Sequence, residues 1–290
     1  MDAVYRIGGF TVYRVVELVA PLRSAFEMLP SLTRECLEEN RHWLQPHSLG
    51  PNDIFSLTYQ SYIVRTPHHT ILVDSCLGND KPRLEPEWNM KTDDNFVRGL
   101  AAVDVTLEDI DYVMCTHLHV DHAGWNTRLV DGRWVPTFPN ARYIFGRREL
   151  ESAKTRYAKG GYPSYANGVL PILEAGRADI VEDDYQIGDY VRLLPTPGHT
   201  DGHVAFCFGK SVDAAVMTGD LLHVPLQIRY PELSFSRDKD SVQSALTRRS
   251  FLEHFCDTPT LCCTAHLPSP SVGRIKRWGD GYRLLPVGCA

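Results

Sequence analysis

The segment Tyr112-Val-Met-Cys-Thr-His117-Leu-His119-Val-Asp121-His122-Ala-Gly124 restricts the chain's options more than any other. An apolar run ends at Cys115, and three histidines and an aspartate follow within six residues. Burying such groups without partners costs roughly a few kcal/mol each, and nothing in core packing calls for four of them together. In an extended segment side chains at i and i+2 share a face, so His117 and His119 can converge on one cation. A turn into a helix near Asp121 would carry Asp121 and His122 to a second cation beside the first, with Gly124 permitting tight packing there. Imidazole nitrogens with carboxylate oxygens favour zinc; iron, manganese and cobalt stay chemically open.

One cluster cannot close two metal shells, and the chain offers further ligands in the same style. Leu193-Leu194 runs into the turn Pro195-Thr-Pro-Gly-His199, Val216-Met217 into Thr218-Gly-Asp220, and Leu261-Cys-Cys-Thr-Ala into His266. Each is an apolar run ending in one metal-binding side chain, which is how α/β folds present site residues.

Short runs rich in β-branched residues read as strands at Thr11–Leu18, Gln60–Val64, Thr70–Val73, Tyr112–Cys115, Arg142–Phe145, Val191–Leu194, Val204–Phe208, Ala214–Met217 and Leu261–Thr264. Helical spacing is clearest over Asp238–Phe255, with Val242, Ala245, Leu246, Leu252 and Phe255 as its apolar face and Asp238 and Asp240 suiting its N-terminus. Arg147–Ala158 and the residues from Gly124 onward are further helix candidates. Alternation of strands and helices predicts an α/β fold of two mixed sheets with helices outside. Without repeat, low-complexity tract or Gly/Ser linker, residues 1–290 read as one domain. The proline- and aromatic-rich stretches 20–57 and 79–101 read as insertions: a lid over the substrate, a dimer arm, or plain surface covering.

A net charge of −6 gives no basic footprint for nucleic acid or an anionic membrane. No secretory signal or apolar run of bilayer length is visible. The eight scattered cysteines contain no CxxC pair and read as reduced, mostly buried thiols. Cytoplasmic location and a small-molecule substrate are therefore expected, with homodimerisation left open.

His117-Leu-His-Val-Asp-His122, the Thr196-Pro-Gly-His199 turn, Thr218-Gly-Asp220 and the late His266 together resemble the metallo-β-lactamase superfamily, in order and spacing, over roughly residues 10–285. The resemblance implies a four-layer αβ/βα sandwich with the site at one edge. It implies that His117, His119 and His199 hold one divalent ion, that Asp121, His122 and His266 hold the second, and that Asp220 bridges both. Leu72-Val-Asp74-Ser-Cys-Leu-Gly78 resembles the superfamily's early strand-end motif, whose Asp orients a ligand imidazole from behind. His203 reads as structural or supporting rather than as a ligand, and His42, His47, His68, His69 and His254 as surface.

The implied chemistry is attack by a metal-bridging hydroxide, with Asp121 taking up and returning the proton. Among the superfamily's branches, the acidic balance argues against nucleases. The HxHxDH form argues against the commonest β-lactamases, and the short stretch after His266 against glyoxalase-II-like thioesterases. What remains resembles the branch of lactonases and methyl-parathion-hydrolase-like enzymes. The expectation is a binuclear, zinc-favouring hydrolase of a lactone or small carboxylic ester. The alternatives are a phosphotriesterase with the same site and a non-catalytic metal-binding module. One departure stands out. Acyl-homoserine lactonases carry a tyrosine three residues after the bridging aspartate, where this chain has His223, read here as a second catalytic residue.

Overall fold

The apolar run Tyr112–Met114 forms a strand flanked on both sides by parallel neighbours, which explains why it shows no polar alternation. Residues 4–210 and 213–288 are described in the computed structural model; Cys289, one of the cysteines noted above, lies outside them. The described residues divide into two compact units, 4–18 with 59–185, and 19–58 with 186–210 and 213–288.

In the first unit the strands are β1 (Val4–Ile7), β2 (Phe10–Ser24, here as far as Leu18), β3 (Ile54–Arg65, here from Tyr59), β4 (Thr70–Val73), β5 (Tyr112–Met114), β6 (Thr127–Val130), β7 (Arg133–Pro136), β8 (Arg142–Gly146) and β9 (Ala178–Val181). Their sheet runs in the order β1-β2-β3-β4-β5-β8-β9, while β6 and β7 form a separate hairpin. From β4 to β9 the strands are parallel, so their carboxyl ends share one edge. The register aligns Ile63, Leu72, Val113 and Tyr143 in one row. That row is buried against Phe96 and Leu100 of the helix Asn95–Ala102 and Leu150 and Ala153 of the helix Arg147–Ala158. Each large apolar side chain so buried contributes roughly 1.5–3 kcal/mol.

The second unit holds β10 (Gln186–Ile187), β11 (Val191–Pro195), β12 (Val204–Phe208), β13 (Ala215–Met217), β14 (Leu261–Cys263), β15 (Val272–Trp278) and β16 (Gly281–Pro286), paired in sequence order. β12 is antiparallel to both β11 and β13, and β13 is parallel to β14. The carboxyl ends of β11, β13 and β14 therefore face the same way. Cys207, Val216 and Cys262 sit in register and pack on Phe251, Leu252 and Phe255 of the helix Ser241–Phe255. Burial pushes the Cys207 and Cys262 thiols up to about 12, as expected of inert core cysteines.

The α/β expectation holds, and each strand named from the sequence is present. Three readings need correction. No helix begins at Gly124: after His119 the chain makes one hydrogen-bonded turn, with His122 and Ala123 both donating to the His119 carbonyl, and then enters β6. Residues 20–57 are more regular than their prolines suggest, because Thr33 caps a helix over Arg34–Leu44. The helix Ser241–Phe255 buries Leu252 and Phe255 as expected, but in its first half Val242 and Leu246 are exposed, whereas Ser244 and Arg248 are buried. Among the described residues, no helix is long and apolar enough to cross a membrane.

Candidate metal centre

The first unit gathers its candidate ligands at the carboxyl end of β5. Asp74, at the end of the adjacent β4, takes a left-handed backbone conformation (φ 56°) that turns its carboxylate toward the loop after β5. There it accepts from the Thr116 backbone N–H at 2.8 Å, the Thr116 hydroxyl at 2.9 Å and His122 Nδ1 at 2.9 Å. This fixes His122 with Nε2 facing away from Asp74, 3.8 Å from the Asp121 carboxylate. His117 and His119 face each other through ring nitrogens 2.9 Å apart, and Thr116 Oγ1 lies 3.1 Å from the other nitrogen of His117. Glu149, in the first turn of the helix after β8, accepts the Leu118 N–H at 3.1 Å, and Ser164 donates to the Leu118 carbonyl at 2.7 Å. His117 and His122 are buried; His119 and Asp121 are partly buried.

In the second unit, His199, Asp220 and His266 follow β11, β13 and β14. Gly198 makes the first turn possible: at φ 133°, a Cβ on it would lie 2.3 Å from the Ser244 backbone nitrogen. The Asp220 carboxylate is divided between partners, Oδ1 standing 2.8 Å from His266 Nε2 and Oδ2 3.1 Å from His199 Nε2. His266 Nδ1 lies 3.0 Å from the Thr58 carbonyl, and His199 Nδ1 lies 2.9 Å from Asp238 Oδ1. Burial disfavours charge on His199, but the Asp220 and Asp238 carboxylates outweigh it and hold the imidazole up at about 9. The pocket between these carboxylates thus favours a positive charge, which a proton or a cation can supply.

The donor set fits divalent metal. His122, His199 and His266 each commit Nδ1 to a carboxylate or carbonyl and leave Nε2 facing a site carboxylate, the arrangement that orients imidazoles for metal binding. His203 differs. Its Nδ1 lies 2.8 Å from Thr196 Oγ1 and its Nε2 accepts the Asp220 N–H at 3.0 Å, so both nitrogens are committed, Nε2 to Asp220's backbone. His223 Nε2 lies 3.2 Å from Asp220 Oδ2, and Asp220, His223 and His266 offer ligand atoms all within 4.8 Å of one another. His223 can therefore also serve a cation, an option its spacing alone did not reveal. Its ring stacks on Phe235 with centroids 3.9 Å apart, Nδ1 has no hydrogen-bond partner among the described residues, and burial holds it at about 4, neutral at pH 7.

Two supporting residues escaped the sequence reading. Asp238 looked like the start of a helix, but Asp240 caps that helix and Asp238 instead orients His199, helped by the Phe235 N–H at 2.9 Å. Arg248 is not singled out by the sequence. It is fully buried, donates to the carbonyls of Leu221 and Pro231 at 2.8 Å and of Leu233 at 3.0 Å, and lies 3.5 Å from Asp238. Asp238→Ala should weaken metal affinity roughly 10–100-fold, the usual effect of losing such an orienting group. Competition against a chromogenic chelator measures this, and wild-type affinity in the variant would remove Asp238 from the centre.

The strand-end ligands, the parallel strand edges and the divided Asp220 carboxylate define a metal-binding α/β protein. The metallo-beta-lactamase superfamily model matches residues 57–266, and the chain belongs to that superfamily. An N-acyl homoserine lactonase of Bacillus sp is 31% identical over 169 residues, covering 54% of this chain and 60% of the relative. An N-acyl homoserine lactonase, AttM, of Azorhizobium caulinodans is 36% identical over 122 residues, covering 40% of this chain and 43% of the relative. The matched region thus spans about 60% or less of these curated relatives' length. Among solved structures, the hydrolase AbOPH of the beta lactamase superfamily has a TM-score of 0.83 at 19% identity, covering 100% of this chain and 98% of that one. AidC, a dizinc quorum-quenching lactonase in complex with a product, N-hexnoyl-L-homoserine, has a TM-score of 0.80 at 18% identity, covering 100% and 98% respectively. These likenesses establish the metallo-beta-lactamase fold.

Proposed function

We propose that the protein is a divalent-metal-dependent hydrolase that opens a lactone or a small carboxylic ester, with zinc as the resident metal. The observation that carries this reading is the divided Asp220 carboxylate, each oxygen facing the Nε2 of a different histidine whose other nitrogen is tied down. Membership of the superfamily and the lactonase relatives support it. His117, His119 and His199 would hold one cation, Asp121, His122 and His266 the other, and Asp220 both. When bound, such ions polarise a carbonyl and make water a competent nucleophile near neutral pH. Asp121, partly buried and acidic, takes the proton from the attacking water at its carboxylate and returns it to the leaving oxygen. His223, neutral at pH 7 and with Nε2 3.2 Å from Asp220 Oδ2, is the second catalytic residue of this reading, hydrogen-bonding the substrate.

A panel of short- and long-chain lactones, p-nitrophenyl esters, a phosphotriester and nitrocefin, each with and without chelator, tests the reading. Lactone or carboxylic-ester turnover that disappears on chelation and returns with zinc is the expected result. Turnover confined to the phosphotriester or nitrocefin, or undiminished by thorough chelation, would overturn it.

A further inference from the structure

The irregular segment after Gly78 packs on the turn that carries Asp121. Its two arms are tied by Asp80 N–H to the Lys91 carbonyl (2.8 Å) and Met90 N–H to the Lys81 carbonyl (2.9 Å). Lys91 is anchored on the buried Glu17 at 3.3 Å, and Glu17 also accepts from the Leu77 N–H at 2.7 Å and Trp125 Nε1 at 2.8 Å. Gly78 approaches so closely that a Cβ there would lie 2.6 Å from the Gly124 carbonyl oxygen. A second element arrives at the same turn. The single π-helical turn Tyr165–Val169 brings Gly168 against Ala123, where a Cβ would lie 2.6 Å from the Ala123 carbonyl oxygen. Such isolated π turns recur at functional sites.

Between these elements stand two cationic side chains. Lys81 is fully buried, bonded to Thr127 Oγ1 at 2.8 Å and the Asn167 carbonyl at 2.9 Å, with Nζ 3.6 Å from the Trp134 ring centroid. Burial, aided by the charge of Arg83, pushes Lys81 down to about 6, so it is mostly neutral at pH 7 and Arg83 carries the charge. Arg83 is half-buried and poorly satisfied. Nη1 reaches only the neighbouring Pro82 carbonyl at 3.1 Å, Nη2 reaches Asn167 Oδ1 at a long 3.5 Å, and the buried Nε has no hydrogen-bond partner among the described residues. It forms no ion pair with any described carboxylate. Burial lowers Arg83 to about 10, and the negative charge of Asp121 opposes that shift. An ordinary surface arginine keeps its fork in water, whereas this one is half-buried with donors to spare, against Asn167, whose neighbour Gly168 meets Ala123 in the turn that carries Asp121.

We propose that Arg83, seated on Asn167, is a specificity-determining residue that binds a carboxylate on the substrate, so that the preferred substrate is an anionic lactone or ester. The inference rests on the hydrolase reading above and deepens it. A guanidinium fork matches a carboxylate with two parallel hydrogen bonds, which the point charge of a lysine cannot reproduce.

The test compares kcat/KM for 5-oxotetrahydrofuran-2-carboxylate and for the neutral γ-valerolactone in the wild type, Arg83→Gln and Arg83→Lys. The wild type should prefer the anionic lactone. That preference should fall by about tenfold or more in Arg83→Gln, with partial recovery in Arg83→Lys. A wild type without the preference, or a ratio unaltered by either substitution, overturns the proposal. Titration of glutarate into the metal-loaded protein supplies a reading independent of turnover: its Kd should weaken about tenfold or more in Arg83→Gln. If neither lactone is hydrolysed, the hydrolase reading is decided by the wider substrate panel above, while the glutarate titration decides the role of Arg83: equal affinity in wild type and variant overturns it.

Discussion

Asp121→Asn and His119→Ala are each expected to lose at least about a hundredfold in kcat/KM toward a lactone or ester substrate. Asn keeps the shape of Asp121 but can neither hold a water's proton nor offer a cation a negative charge. A hundredfold corresponds to about 2.7 kcal/mol of transition-state stabilisation, which is modest for a group serving both purposes. His119→Ala removes one of two ring nitrogens that face each other at 2.9 Å. Neither side chain is fully buried, so neither loss should unfold the first unit. Activity and metal content measured in the same samples separate loss of metal from loss of proton transfer. A fully loaded Asp121→Asn variant retaining more than a tenth of wild-type activity would remove Asp121 from proton transfer.

Gly124→Ala should be the most damaging single-methyl change in the first unit. An added Cβ would lie 2.0 Å from the carbonyl carbon and oxygen of Leu77 and 2.4 Å from the Cys76 carbonyl oxygen. These are backbone atoms, pinned by the Gly124 N–H to Cys76 carbonyl bond at 2.8 Å and the Trp125 N–H to Ser75 carbonyl bond at 2.7 Å. No rotamer change relieves the clash, and the turn bearing Asp121 and His122 would have to part from the β4 loop. Overpacking usually costs about 1–3 kcal/mol, and a clash with fixed backbone belongs at or above the upper end. The expected loss is about 3 kcal/mol or more by denaturant unfolding, together with weakened metal binding. Gly161→Ala, which meets nothing within 4 Å, is the control. Equal stability in the two variants would mean that the close approach at Gly124 carries no weight.

The sequence disclosed the residues whose chemistry is local and left hidden those whose meaning depends on long-range packing. His117, His119, Asp121 and His122 stand out because a strand period and a polar cluster coincide. His199, Asp220 and His266 stand out because each ends an apolar run. Asp74 was legible only through the resemblance of Leu72–Gly78 to the superfamily's strand-end motif. Asp238 and Arg248 were not, since a carboxylate before a helix and an arginine within one are ordinary. Only the fold reveals that Asp238 turns inward to His199 and that Arg248 is buried among carbonyls. Misjudging the buried face of Ser241–Phe255 has the same origin, because Val242 and Leu246 follow helical spacing yet point to solvent. The β6–β7 hairpin was legible after all: Asp131-Gly132, with φ 49° and 75°, is a common two-residue hairpin turn between runs of strand-forming residues.

Metal stoichiometry tests the central claim most directly. The purified protein is equilibrated with excess zinc, freed of unbound ion by gel filtration, and its content measured by inductively coupled plasma mass spectrometry, with Asp220→Ala treated in parallel. About two zinc ions per chain are expected, with a clear deficit in the variant. A chain that retains no zinc, or an Asp220→Ala variant that retains as much as the wild type, would contradict a dinuclear centre built on these strand ends.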